Sequence, residues 1–171
     1  MLLKPTLIKN SLLGLFVLAL IASGLWLAFS KTVTPAPEVG FSTITGKQIG
    51  LKALRGKPVL VTFWATDCPG CIEEMPHLID LYRQYHDKGL EIIAVAMYYD
   101  PPSHVVAMTK EQSLPYDVAL DIQGGHAKAF GDVRLTPTTF LISPDGTIVL
   151  QKIGAFDPAA MKTRIETLLK G

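Results

Sequence analysis

Apolar residues fall along this chain in three patterns, and each predicts a different kind of element. The first is an unbroken run. From Ser11 to Ser30 no charged residue interrupts Leu, Ala, Val, Phe and Ile. At ~1.5 Å rise per residue, about 20 such residues cross a hydrocarbon core of ~30 Å. The run ends in Trp26, Phe29 and Lys31, residues suited to a membrane interface. A secretory signal peptide has a shorter apolar core and a small-x-small cleavage site, so an uncleaved anchor is favoured over a cleaved signal.

The second pattern is the short, β-branched run bounded by turn residues. Val59–Trp64, after Gly56-Lys57-Pro58, and Glu91–Met97 read as buried central strands. Thr138–Ile142 and Thr147–Ile153 flank Ser143-Pro-Asp-Gly146, a turn sequence that closes a hairpin. Phe41–Thr45 and Gln48–Leu51, around Gly46-Lys47, predict a smaller hairpin, and Tyr116–Leu120 a short strand. The third pattern is helical. It covers Pro69 to His86, Ser103 to Gln112 with Ser103 as N-cap, and His126–Phe130 after Gly124-Gly125. A last helix is capped by Asp157, has Pro158 at its first position and ends near Lys170.

Strand–helix–strand followed by a hairpin and a terminal helix describes an α/β sandwich with a mixed sheet. The first two buried runs pair in parallel through the helical crossover, and the hairpin supplies the antiparallel edge. The expected organisation is a cytoplasmic N-terminus over residues 1–10, a transmembrane signal anchor over 11–30, a Pro-containing linker over 31–39 and a folded domain over 40–171.

Charge then sets orientation. Lys4 and Lys9 precede the apolar run, which places the N-terminus in the cytoplasm and exports the rest of the chain. Of the 16 basic residues these two are on the cytoplasmic side; the remaining 14 against 15 acidic leave a net charge of −1. No dense basic run exists to track phosphates, so nucleic-acid binding is dropped. The chain has 171 residues, enough for one domain beyond the anchor, and its 49% hydrophobic content is high because of the N-terminal run.

Only two cysteines occur, and they form Cys68-Pro-Gly-Cys71 at a predicted strand-to-helix junction. A ring of four residues gains little as a structural staple but suits cycling between dithiol and disulfide. Cys68 sits at the helix N-terminus, where free N–H groups and the helix dipole favour a thiolate, so it is the expected attacking thiol. Cys71, one turn in, is the expected resolving thiol. A metal centre needs more ligands than these two thiolates. His77, His86, His104 and His126 show no paired ligand spacing, so neither a metal nor another cofactor is expected.

On a helical wheel Glu74 falls inside the apolar arc, between Leu81 and Tyr85, whereas Glu73, His77, Asp80, Gln84 and Asp87 cluster opposite. A carboxyl one turn beyond Cys71 would have its pKa raised by desolvation and could exchange a proton with that thiol. The plainer alternative is a side chain that snorkels at the edge of the arc. Thr136-Pro137-Thr138 precedes a strand; a trans peptide is the default there.

Phe63-Trp-Ala-Thr-Asp-Cys-Pro-Gly-Cys71, followed by Glu74-Met-Pro76, resembles the active-site segment of thioredoxin-like proteins. Within that superfamily it is most similar to the membrane-anchored TlpA/ResA/CcmG-type thiol–disulfide oxidoreductases. Leu54-Arg-Gly-Lys-Pro58 and Pro137-Thr-Thr-Phe-Leu-Ile142 support the resemblance, which runs from about Gly40 to the C-terminus. It implies a thioredoxin-like three-layer sandwich with an N-terminal hairpin and a central insertion over Tyr98–Asp121, preceded by one transmembrane helix. It also implies that Cys68, Cys71 and Glu74 carry the catalysis. Trp64, Pro69, Gly70, Thr136 and a cis Pro137 would meet the substrate, and Pro76 would kink the helix.

Two positions depart from the family. Asp67 stands where Trp is usual, a carboxylate that disfavours the Cys68 thiolate unless it caps the helix. Thr62 stands where cytoplasmic thioredoxins carry a buried Asp, a place Glu74 could fill. The function implied is reduction of disulfides in exported proteins, with apocytochrome c or a metal-delivery protein as substrate. A membrane thiol–disulfide carrier would be the electron donor, and the protein a monomer in the inner membrane with its domain in the periplasm. A DsbA-like thiol oxidase and a thioredoxin-fold metal chaperone without redox turnover are the alternatives.

Overall fold

The computed structural model describes residues 34–170. The expected cytoplasmic segment, the transmembrane anchor and the first residues of the linker lie outside the described residues. Among the described residues no helix is long and apolar enough to cross a membrane.

The chain forms β1 (Thr34–Pro35), β2 (Gly40–Ser42), β3 (Gln48–Gly50), β4 (Val59–Trp64), α1 (Pro69–Tyr85), β5 (Glu91–Ala96), α2 (Pro102–Glu111), β6 (Asp117–Leu120), α3 (Gly125–Ala129), β7 (Thr138–Ile142), β8 (Thr147–Ile153) and α4 (Pro158–Lys170). Six strands make one sheet in the order β1-β8-β7-β4-β5-β6, and β2 and β3 make a separate hairpin. β4 runs parallel to β5, and β5 parallel to β6, while β7 is antiparallel to both β4 and β8. The mixed sheet expected from the sequence is therefore present. The parallel neighbours are joined through helices, and the antiparallel pair closes through the Ser143–Gly146 turn, where Gly146 at φ 81° takes the left-handed conformation.

All six residues of β4 are buried because both faces of the sheet are covered. Its period-two alternation sorts them. Leu60 and Trp64 pack with α1, α2 and α4, in one core that includes Cys71, Met75, Leu78, Val105, Met161 and Ile165. Val59, Val61 and Phe63 pack into the opposite core with Phe41 and Ile49 of the hairpin and with Ala127 of α3. Phe63 meets Phe130 and Phe140 edge-on, with ring centroids 5.4 and 6.0 Å apart. Phe63→Ala is expected to cost ~3–5 kcal/mol through the cavity it leaves in a fully buried site. The denaturant midpoint of the variant checks this.

Three of the expectations that change are these. The Pro-containing stretch read as a linker is in part sheet, because Thr34 and Pro35 pair with Ile148 and Thr147. Ala36 is buried and donates its N–H to Gly146 O at 2.9 Å. Second, α2 begins at Pro102 with Pro101 at the N-cap and no side-chain cap, not at a capping Ser103. Proline's fixed φ suits the first helical turn, where its missing N–H costs nothing. Third, the predicted short strand at Tyr116 begins one residue later, at Asp117, and Tyr116 is buried beside α1.

Candidate functional site

β4 ends at Trp64 and the chain turns through Ala65-Thr-Asp67 into α1, with Cys68 N–H donating to Ala65 O at 3.3 Å. Cys68 is the N-cap residue of α1, and its Sγ accepts the Cys71 N–H at 3.2 Å. The cap position that the sequence left open for Asp67 is thus taken by the sulfur itself. Asp67 is exposed on the turn, so its charge stands beside the nucleophile with no capping role to offset it.

Cys68 and Cys71 form a disulfide with their Cα atoms 5.3 Å apart. Cys68 is half-buried, Cys71 is 3% exposed, and Pro69 and Gly70 bridge them at the surface of the first helical turn. Only the first sulfur can therefore be approached from solvent. The Thr136–Pro137 peptide is cis. A Cβ added to Gly70 would lie 3.5 Å from Pro137 Cδ, which places this proline against the Pro69-Gly70 turn. The substrate-facing set expected from the resemblance is thus brought together at Pro69, Gly70, Thr136 and Pro137. Trp64 is the exception: it is 3% exposed and belongs to the core behind the disulfide, so it offers no surface to a substrate.

Glu74 is also 3% exposed, at the position on the helix where the apolar arc placed it. It is not a snorkelling edge residue. Its Oε1 accepts the Phe156 backbone N–H at 3.0 Å. Desolvation raises its pKa from 4.5 to about 7, against the opposing pull of the Phe156 N–H and the Thr139 hydroxyl. A carboxyl in that range takes up and gives back protons near neutral pH.

Glu74, Cys71, Trp64, Thr62 and Tyr116 line one cavity of about 10 Å³, close to the space needed by the centre of one water molecule. Trp64 Nε1–H is buried and has no hydrogen-bond partner among the described residues. The Thr62 and Thr139 hydroxyls are hydrogen-bonded to each other at 2.9 Å across β4 and β7. Burial and the nearby Glu74 charge both push the Tyr116 phenol pKa up. Glu74 on the helix and Thr62 on the strand thus face the same cavity. Among the described residues no three His, Cys, Asp or Glu side chains converge to hold a metal ion.

Sequence reasoning missed Phe156, Thr139 and Tyr116. Phe156 acts through its backbone, so its side chain carries no signal of the contact. Thr139 had a signal: Thr62 and Thr139 are hydroxyls inside otherwise apolar strands, and buried hydroxyls need partners.

A protein-family model described as Redoxin matches residues 31–169. The thiol-disulfide oxidoreductase ResA of Bacillus thuringiensis subsp. konkukian is 36% identical over 138 residues, covering 79% of this chain and 75% of the relative. The ResA protein of Bacillus subtilis is 35% identical over 114 residues, covering 67% of this chain and 63% of the relative. Among solved structures, a thiol:disulfide interchange protein of the thioredoxin family from Chlorobium tepidum superposes with a TM-score of 0.75 at 26% identity, over 82% of this chain and 99% of that one.

Proposed function

The chain belongs to the Redoxin family, and on that premise we propose that it is a membrane-anchored reductase of disulfides in exported proteins. Its kinship with ResA and its Cys68–Cys71 pair make it a thiol–disulfide oxidoreductase. The charge-free run from Ser11 to Ser30 supports a single-pass inner-membrane anchor, and Lys4 and Lys9 before it support a periplasmic domain.

In the proposed cycle the Cys68 thiolate attacks one sulfur of a substrate disulfide, forms a mixed disulfide and expels the other sulfur as a thiolate. Cys71 gives its proton to Glu74 and attacks Cys68 Sγ. That step releases the second substrate thiolate and closes the Cys68–Cys71 disulfide. A membrane thiol–disulfide carrier returns two electrons, the proton held by Glu74 goes back to Cys71, and the released substrate thiolates take their protons from solvent. Pro69, Gly70, Thr136 and Pro137 form the substrate's seat. Apocytochrome c and metal-delivery proteins, both exported and thiol-bearing, are the substrates proposed.

The observation that carries the reducing direction is Asp67. An oxidant is strong because its reduced form is stabilised, and that means stabilising the attacking thiolate. Here the Cys71 N–H donated to the sulfur favours the thiolate, but the exposed Asp67 carboxylate one residue away works against it. The equilibrium potential of the couple tests the direction. A value near or below about −270 mV is expected for a reductant, and one near −120 mV would make the protein an oxidant. Absence of a reversible two-electron titration would leave metal delivery without turnover as the reading to pursue.

A further inference from the structure

We propose that the turn carrying Tyr98 and Tyr99 is a recognition surface for the residues flanking the substrate's cysteine, and that it selects extended polypeptides with a large apolar side chain there. This rests on the thiol–disulfide exchange assigned above and adds a specificity to it.

The turn follows β5 and is tied at both ends to the loop that carries the nucleophile. At its start, Met97 N–H donates to Trp64 O at 3.0 Å. At its end, the buried Asp100 carboxylate accepts from Thr66 twice, from the backbone N–H at 2.6 Å and from the hydroxyl at 2.7 Å. Asp100 N–H closes the turn on Met97 O at 3.0 Å. Thr66 lies two residues before Cys68, so the two tyrosines are held in fixed register with the attacking sulfur. Hydrogen bonds to a buried charged group are among the stronger kinds.

This anchoring holds up side chains the domain itself does not bury. Tyr98 is 61% exposed and Tyr99 47%, and they meet edge-to-face with centroids 5.4 Å apart. Tyr98 also borders Gly124, whose added Cβ would lie 3.6 Å from the ring. Ile122, 61% exposed, follows β6 at the same end of the sheet. Scattered apolar exposure is ordinary, but exposed aromatics on a turn hydrogen-bonded to the loop that carries the reactive thiol are not. Tyrosine offers large, stiff contact area at low entropic cost, as recognition surfaces require. The occupant is fixed by the chemistry: a disulfide sulfur brought onto Cys68 carries its polypeptide flanks across the neighbouring surface.

The test uses the full chain in detergent, reduced with dithiothreitol and desalted. Three disulfides are offered: hydroxyethyl disulfide and two otherwise identical peptides, each disulfide-linked to glutathione through its cysteine. One peptide has Phe beside the cysteine and the other Ser. The exposed double variant Tyr98→Ser/Tyr99→Ser is compared with wild type. The expected result is a loss of about tenfold in kcat/KM for the Phe peptide, carried by KM, with less than twofold change for the other two. Equal rates for wild type and variant on the Phe peptide would overturn the proposal. An equal loss on all three would also overturn it, since the tyrosines would then shape the nucleophile's loop, not the contact. Wild type that reduces none of the three would bring down the exchange reading and this proposal with it. A wild-type dimer in sedimentation that the variant abolishes would make a second copy of the chain the occupant.

Discussion

A Cys71→Ser chain is expected to accumulate a covalent mixed disulfide with a disulfide-bonded peptide, whereas a Cys68→Ser chain accumulates none. The asymmetry follows from burial. Cys68 caps the helix and is reachable from solvent; Cys71, at 3% exposure, meets only groups within the domain. Removing the buried sulfur leaves attack intact and blocks release, so the intermediate persists. Removing the outer one blocks the first step. Turnover should fall by at least about 10³-fold in both, since the remaining sulfur cannot take over the missing role. Non-reducing electrophoresis and mass spectrometry of the trapped species check it. A trap formed through Cys71 in the Cys68→Ser chain would reverse the roles.

Glu74→Gln should slow release of the mixed disulfide by about 10²-fold while making the protein more stable at alkaline pH. The first effect is the loss of a proton acceptor for Cys71. The second is linkage. Folding raises the carboxyl's pKa from 4.5 to about 7, so across that interval the folded chain holds a proton the unfolded chain has lost. Stability from this group is full below about 4.5 and is lost as pH rises through about 7, a change of ~3 kcal/mol. Glutamine stays neutral and escapes that loss. The difference in unfolding free energy between variant and wild type should therefore grow in the variant's favour from pH 4.5 to pH 8, as denaturant titrations at both pH values would show. A pH-independent difference would mean that Glu74 does not carry the titration.

Much of this was legible in the residues because it is local. The bounds of β4, β7 and β8 stand as expected: each is an apolar run with a turn signal beside it. The buried carboxyl was legible too, since the 100° step of a helix fixes which face a residue takes once its neighbours are known. What escaped was set by distant parts of the chain. Two residues become β1 only because β8 offers them an edge, and nothing in Thr34-Pro35 announces that partner. Thr66 and Asp100 meet across 34 positions. Trp64 was the avoidable error. Strand parity places it with Leu60 and Thr62 on the helix-covered face, and that argues against a place among the surface residues next to Cys68.

The bond from Phe156 N–H to Glu74 makes one amide a gauge of the interior. This backbone group lies between β8 and α4, far along the chain from the cysteines, yet its proton is shared with the carboxyl whose charge changes near neutral pH. In a ¹H–¹⁵N spectrum that single cross-peak should move downfield as Glu74 ionises and the hydrogen bond strengthens. Following it through a titration, in the oxidised and reduced protein separately, would report how strongly the two sulfurs and the buried acid sense one another.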